Sequence, residues 1–201
     1  MTEKRVNHEG IIIILILLVI GIYCNTLFRG RSLIWGQILR ELKMPENAQV
    51  TILGLNYAGL FIDVAKRLKA PGKVTGVNIG NENVTKQESE RIKENRVADR
   101  AKLVDGSLLN LPLASRHYDY VLSTFTFHSV SPAINRGRAI QEAVRVMKPN
   151  GTLIIVDFGN LQQYRPLLNN LGFQDIRVVP TGINGWWGGP WLKTSVLMAR
   201  R

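Results

Sequence analysis

Five short β-branched runs, at residues 50–55, 73–79, 101–104, 118–124 and 152–158, alternate with stretches whose apolar residues recur at helical spacing. Parallel strands need crossover connections, and the crossover helices must cover both sheet faces, so this alternation predicts a doubly wound α/β sheet. The helices are expected over 60–69, 84–97, 133–147 and 161–171, with Gly172 stopping the last of them. Two further strand candidates, 175–179 and 194–199, flank a loop rich in Gly, Pro and Trp and read as an antiparallel hairpin. That brings the expected sheet to seven strands, Rossmann-like and mostly parallel. A lead-in amphipathic helix over 31–44 carries Leu33, Ile34, Ile38, Leu39 and Leu42 on one face and ends at Pro45.

The chain of 201 residues suits one core plus an appendage. The appendage is the uncharged run 11–28, which at about 1.5 Å per residue reaches roughly 27 Å, enough for a thin bilayer core. It reads as a single-pass transmembrane anchor over residues 1–30, followed by a domain over 31–201. A cleaved signal peptide competes, since Lys4 and Arg5 precede the apolar run, but no small-x-small cleavage site follows and Tyr23 before Cys24 spoils a lipoprotein signal. A buried core helix fits less well, because Ile and Leu occupy every face from Ile11 to Ile20. Arg29, Arg31, Arg40 and Lys43 follow the run, whereas Lys4 and Arg5 are offset by Glu3 and Glu9; this bias places the domain in the cytoplasm. The lone Cys24 excludes an intrachain disulfide, and three scattered histidines offer no metal-ligand spacing. A net charge of +11 favours anionic lipid headgroups. Nucleic acid is a poor fit, because Arg91, Lys93, Arg96, Arg100 and Lys102 are interleaved with Glu88, Glu90, Glu94 and Asp99.

Two segments carry a family resemblance. LNLPLASRHYDYVLSTFTFHSV, residues 109–130, resembles LPFPDGSFDVVVSSFALHHV, and AIQEAVRVMKPNGTLIIVDF, residues 139–158, resembles a helix, KPGG turn and fifth strand. Both belong to the pattern of class I S-adenosylmethionine-dependent methyltransferases of the type 11-like, small-molecule or lipid-acting kind. The ending GINGWWGGPWLKTSVLMA further resembles a bacterial subgroup with an N-terminal membrane helix and a WYGGPW-like hairpin.

The resemblance implies S-adenosylmethionine as cofactor, held at three places. In VTILGLNYAG, residues 50–59, Gly54 keeps the first glycine of the loop after strand one, where backbone amides and a helix N-terminus approach the ligand. Asn56 takes a usual glycine position, and asparagine tolerates left-handed geometry; Ala58 adds one methyl, and Gly59 follows. The alternative is a tight strand-to-helix turn without a ligand. At the end of strand two, where the family has an acid for the ribose hydroxyls, stands Asn78, which lacks charge and one acceptor; this costs about 1–3 kcal/mol where no neighbour compensates. Glu82 is the nearest acid by sequence beyond it, or a solvated loop charge. In place of the family's GDA, Gly106 and Ser107 precede Leu111 and Pro112, and Asp105 stands two residues early, as a substitute acid or a turn cap.

Residues 123–128, including Ser123, would line the transfer site, and His128 is the one side chain there suited to acid–base work near neutral pH, or else a packing histidine. The segment lacks the NPPY-type sequence of amino-methylating nucleic-acid enzymes. Trp186, Trp187 and Trp191 can pack the hairpin, cover a substrate or meet a membrane interface. Two functions remain open: methyl transfer to a small or lipid-like acceptor at the cytoplasmic membrane face, or a catalytically silent, membrane-tethered binding module. Membrane lipid and a small-molecule acceptor are the expected partners; the sequence leaves the oligomeric state open.

Overall fold

A computed structural model describes residues 8–80, 82–186, 192 and 194–201. The β-branched runs form β1 (Gln49–Leu53), β2 (Lys73–Asn78), β3 (Ala101–Asp105), β4 (Tyr118–Thr124), β5 (Met147–Phe158), β6 (Asp175–Pro180) and β7 (Thr194–Arg200). They build one sheet in the order β3-β2-β1-β4-β5-β7-β6. The first five strands pair in parallel, and β7 lies antiparallel between β5 and β6. The order reverses beside β1, so the loops after β1 and β4 diverge over a crevice at the carboxyl ends of the strands.

Among the described residues six α-helices accompany the sheet: α1 (His8–Asn25), α2 (Arg31–Glu41), α3 (Ala58–Arg67), α4 (Glu82–Glu94), α5 (Asn135–Val146) and α6 (Arg165–Asn170). Their apolar stripes make two cores. Ile34, Trp35, Leu60, Phe61 and Ile92 from α2, α3 and α4 pack on one face of the sheet. On the other face Ile140 and Ala143 of α5 and Leu168 of α6 meet Leu53, Val121 and Ile155. The last crossover differs from expectation: 161–171 divides into a 3₁₀ turn, Leu161–Tyr164, and the short α6, because Pro166 in the first turn of α6 cannot continue a helix begun at 161. β5 also starts earlier than residue 152, since Met147 pairs with Tyr118 before the strand proper.

The N-terminus corrects one expectation. Among the described residues no single helix is long and apolar enough to cross a membrane; Gly10–Asn25 and Phe28–Glu41 meet the length and composition together, but as a pair bent by 42°. The physical reason lies at the junction. A π-helical turn, Thr26–Gly30, ends α1, and α2 then buries Ile34, Trp35, Ile38 and Leu39 in the first core. The second half therefore belongs to the folded domain. α1 itself is different: Ile11 to Ile20 are 44–65% exposed on every face. Its base is fixed to the domain by Thr26 Oγ1 donating to the Ile183 carbonyl at 2.8 Å. Trp187 and Trp191 lie outside the described residues, as do Glu3, Lys4 and Arg5; Trp186 is half-buried.

Candidate active site

The loop after β1 is built around Gly54. Its φ of +75° suits a residue without Cβ, and a Cβ there would fall on the Thr126 side chain from the loop after β4. The Leu53 carbonyl beneath accepts from Ser123 Oγ at 3.1 Å and Thr126 Oγ1 at 3.0 Å. Ser123 is fully buried in that role, so it supports the turn from below rather than lining the crevice, which corrects the expectation for it. Asn56 is a cross-brace: its Nδ2 donates to the Phe125 carbonyl at 2.7 Å and approaches the Thr124 carbonyl and Thr126 Oγ1 at 3.3 and 3.4 Å. A glycine could not tie the two loops together. α3 begins at Ala58, with its N-terminus at the crevice, and the Tyr57 ring lies so close to Gly59 that a Cβ there would meet it at 2.7 Å. The exposed amides of a helix start favour an anionic group.

At the ends of β2 and β3, buried Asn78 donates from Nδ2 to Asp105 Oδ1 at 2.8 Å. The Gly106 amide donates to the Asn78 carbonyl at 2.9 Å, and Pro112 packs where a Cβ on Gly106 would sit. Ser107 is exposed and its hydroxyl accepts from the Leu109 amide at 3.2 Å, a turn-capping bond. The following segment is braced from α5: Glu142 accepts from the Leu111 amide at 2.9 Å, while Arg145 donates to Glu142 and to the carbonyls of Leu111 and Leu113. The Arg145 hydrogen bond holds the Glu142 carboxyl below the usual range.

The far wall is aromatic. Phe125, at φ +50°, sits in the left-handed region that bulky residues rarely adopt, and it is held there by the Asn56 brace and by stacking on Phe158 at 4.5 Å. The Arg31 guanidinium lies 5.5 Å from the centre of the Phe125 ring and donates to the Asn56 carbonyl at 3.3 Å.

His128 follows in a 3₁₀ turn, Phe127–Ser129, edge-on to Phe158 at 5.2 Å. Its partner is Asp157 near the end of β5, which sequence reasoning missed. The Asp157 carboxylate, 1% exposed, accepts from the His128 amide at 3.0 Å and the Phe158 amide at 2.7 Å, and lies 2.6 Å from His128 Nδ1. A carboxylate accepts only, so it fixes the proton of a neutral imidazole on Nδ1 and leaves Nε2 as an acceptor. Tyr164 stands nearby as a neutral phenol: burial pushes its pKa up, Arg136 opposes this and Asp157 adds to it. Arg136 donates to the His128 carbonyl at 2.7 Å and holds the turn.

Residues 53–155 match the methyltransferase domain family, a span of half the chain that contains the Gly54 turn, the Asn78–Asp105 pair and His128. The chain belongs to that family. The family's cofactor is S-adenosylmethionine, and the crevice fits it: a glycine turn that a Cβ would fill, a helix start and polar groups at the ends of β2 and β3. Among relatives, a demethylmenaquinone methyltransferase of Lactiplantibacillus plantarum is 27% identical over 60% of this chain and 49% of its own length. A ubiquinone/menaquinone biosynthesis C-methyltransferase of Cereibacter sphaeroides is 28% identical over 66% of this chain and 51% of its own. The chain thus spans about half the length of these curated relatives. A geranyl diphosphate methyltransferase solved with S-adenosylmethionine superimposes with a TM-score of 0.69 at 13% identity, over 85% of each chain, and so shares the fold.

Proposed function

We propose that the chain transfers a methyl group from S-adenosylmethionine to a ring carbon of a quinol-like, lipid-soluble acceptor at the cytoplasmic face of a membrane. The observation that carries the reading is the His128–Asp157 pair beside the Phe125–Phe158 wall. A sulfonium-bound methyl is already strongly electrophilic, so what remains for the protein is alignment and control of the acceptor's proton. The aromatic wall seats a planar ring, and Nε2 of His128 takes the proton of a ring hydroxyl. The resulting phenolate pushes electron density to the adjacent carbon, which takes the methyl as the methyl–sulfur bond breaks; the proton on that carbon leaves to solvent, and the proton held on His128 Nε2 returns to the oxygen to restore the hydroxyl. Asp157 holds the neutral imidazole in the accepting tautomer and stabilises the imidazolium once Nε2 has taken the proton. The quinone substrates in the names of the two relatives support this acceptor class.

The exposed apolar surface of α1 supports membrane attachment. Phe28, 83% exposed, and Ile183, which bonds the base of α1, extend that surface onto the domain. The cations Arg29, Arg40 and Lys43 after the apolar run favour the cytoplasmic side. The test is transfer of labelled methyl from S-adenosylmethionine to a demethylated menaquinol in vesicles, against a water-soluble phenol of the same ring. Label in the quinol, lost with His128→Ala, is expected. Equal transfer by His128→Ala, or transfer only to the soluble phenol, would overturn the acceptor assignment.

A further inference from the structure

The acid that the family places at the end of β2 is missing, yet a carboxylate stands one strand over. Asn78 and Asp105 are ladder partners at the carboxyl ends of β2 and β3, joined by the 2.8 Å bond from Nδ2 to Oδ1. Thr85 Oγ1, in the first turn of α4, approaches the same Asp105 oxygen at 3.3 Å. Both atoms of that bond are thereby committed. Among the described residues, no group hydrogen-bonds Asn78 Oδ1 or Asp105 Oδ2.

A ribose diol needs two acceptors close together, which a single carboxylate supplies on one group. Here an amide supplies one oxygen and the adjacent carboxylate the other, with their mutual hydrogen bond fixing the spacing. The charge is retained, moved from β2 to β3, and its contact with the amide is a charge-assisted bond. We propose that Asn78 and Asp105 form a split acceptor for the two ribose hydroxyls of the cofactor, with Asp105 supplying the negative charge. This rests on the cofactor reading above. It also predicts that an acid at 78 with Asp105 unchanged is unfavourable: two carboxylates at that separation repel, and one would have to hold a proton.

The experiment is calorimetric titration of S-adenosylhomocysteine and of its 2′-deoxy analogue into the full chain in detergent micelles. Wild type is expected to prefer the ribose form by about tenfold or more, a difference of about 1.4 kcal/mol. Asp105→Asn should lose about that factor for the ribose form and little for the deoxy form, so the preference collapses. Asn78→Asp alone should also weaken binding. The swap Asn78→Asp with Asp105→Asn restores the family arrangement and should return affinity to within about threefold of wild type, which separates ligand contact from damage to the fold. Unchanged preference in Asp105→Asn, or a swap no tighter than either single variant, would overturn the split acceptor while leaving the cofactor reading intact. A wild type that binds neither ligand would overturn both.

Discussion

Replacing Asp157 by Asn keeps the size of the side chain and removes the one feature on which the accepting tautomer of His128 depends. The carboxylate faces three N–H groups: the His128 amide, the Phe158 amide and, at 2.6 Å, His128 Nδ1. An asparagine has one acceptor oxygen, so it can satisfy one side of this cluster while its NH₂ turns to the other. If the oxygen stays with the His128 amide, the NH₂ takes the place of Oδ1 and faces both the Phe158 amide, which loses its acceptor, and Nδ1, which must then accept, so the imidazole proton moves to Nε2. One buried charge-assisted bond is lost, worth about 1.5–3 kcal/mol, or a fall in Tm of roughly 3–12 °C for a chain of this size. Methyl transfer that depends on a base should fall by about 10²–10⁴ in kcat while affinity for S-adenosylhomocysteine holds. The tautomer can be read without an acceptor, from the ¹⁵N chemical shifts of the His128 ring in wild type and variant. A ring whose proton sits on Nε2 in wild type, or a variant with kcat within threefold of wild type, would refute the reasoning.

Gly54→Ala introduces a methyl at φ +75° against Thr126; the left-handed strain of about 1–2 kcal/mol and the crowding of a packed loop should together remove about 2–4 kcal/mol of stability, measured by denaturant unfolding, and abolish cofactor binding. Glu88 is almost fully buried and its pKa is raised by burial, with Arg91 opposing. The folded state therefore holds this proton more tightly than the unfolded chain, and the associated stability is complete below the ordinary carboxylate pKa and lost as pH rises through the folded value. Glu88→Gln should match wild type near pH 4 and melt higher than wild type at pH 8; equal melting at pH 8 would contradict this. Glu142 has the opposite sign: its folded pKa is lowered, so its contribution is present above the ordinary carboxylate range and lost as pH falls through the folded value. Glu142→Gln should cost roughly 1–2 kcal/mol at pH 7 and little once both states are protonated, read from unfolding curves across pH.

The strands were legible because burial on both sheet faces writes itself as runs such as Val50 to Leu53 and Leu153 to Val156. The hairpin was legible from its turn residues. The limits of α1 were not, since composition reports apolarity but not that Ile34 and Trp35 turn inward four and five residues after the π-helical turn. The site was legible where it depends on local backbone, as at Gly54, and obscure where it depends on contacts across strands. Asn56 reads in sequence as a spoiled glycine, yet its amide reaches residues about 70 positions away. Asp105 reads as a misplaced acid until the β2–β3 register sets it against Asn78. Asp157 gave no signal beyond being an acid at the end of a strand, because its meaning comes from His128, 29 residues earlier.

The crevice is expected to accept S-adenosylmethionine despite asparagine at 56 and 78. The most direct test is calorimetric titration of S-adenosylmethionine into the full chain in detergent micelles. A single site with Kd at or below about 100 μM is expected. Absence of heat and of any thermal shift at millimolar ligand would contradict this expectation and leave a methyltransferase fold serving as a binding module.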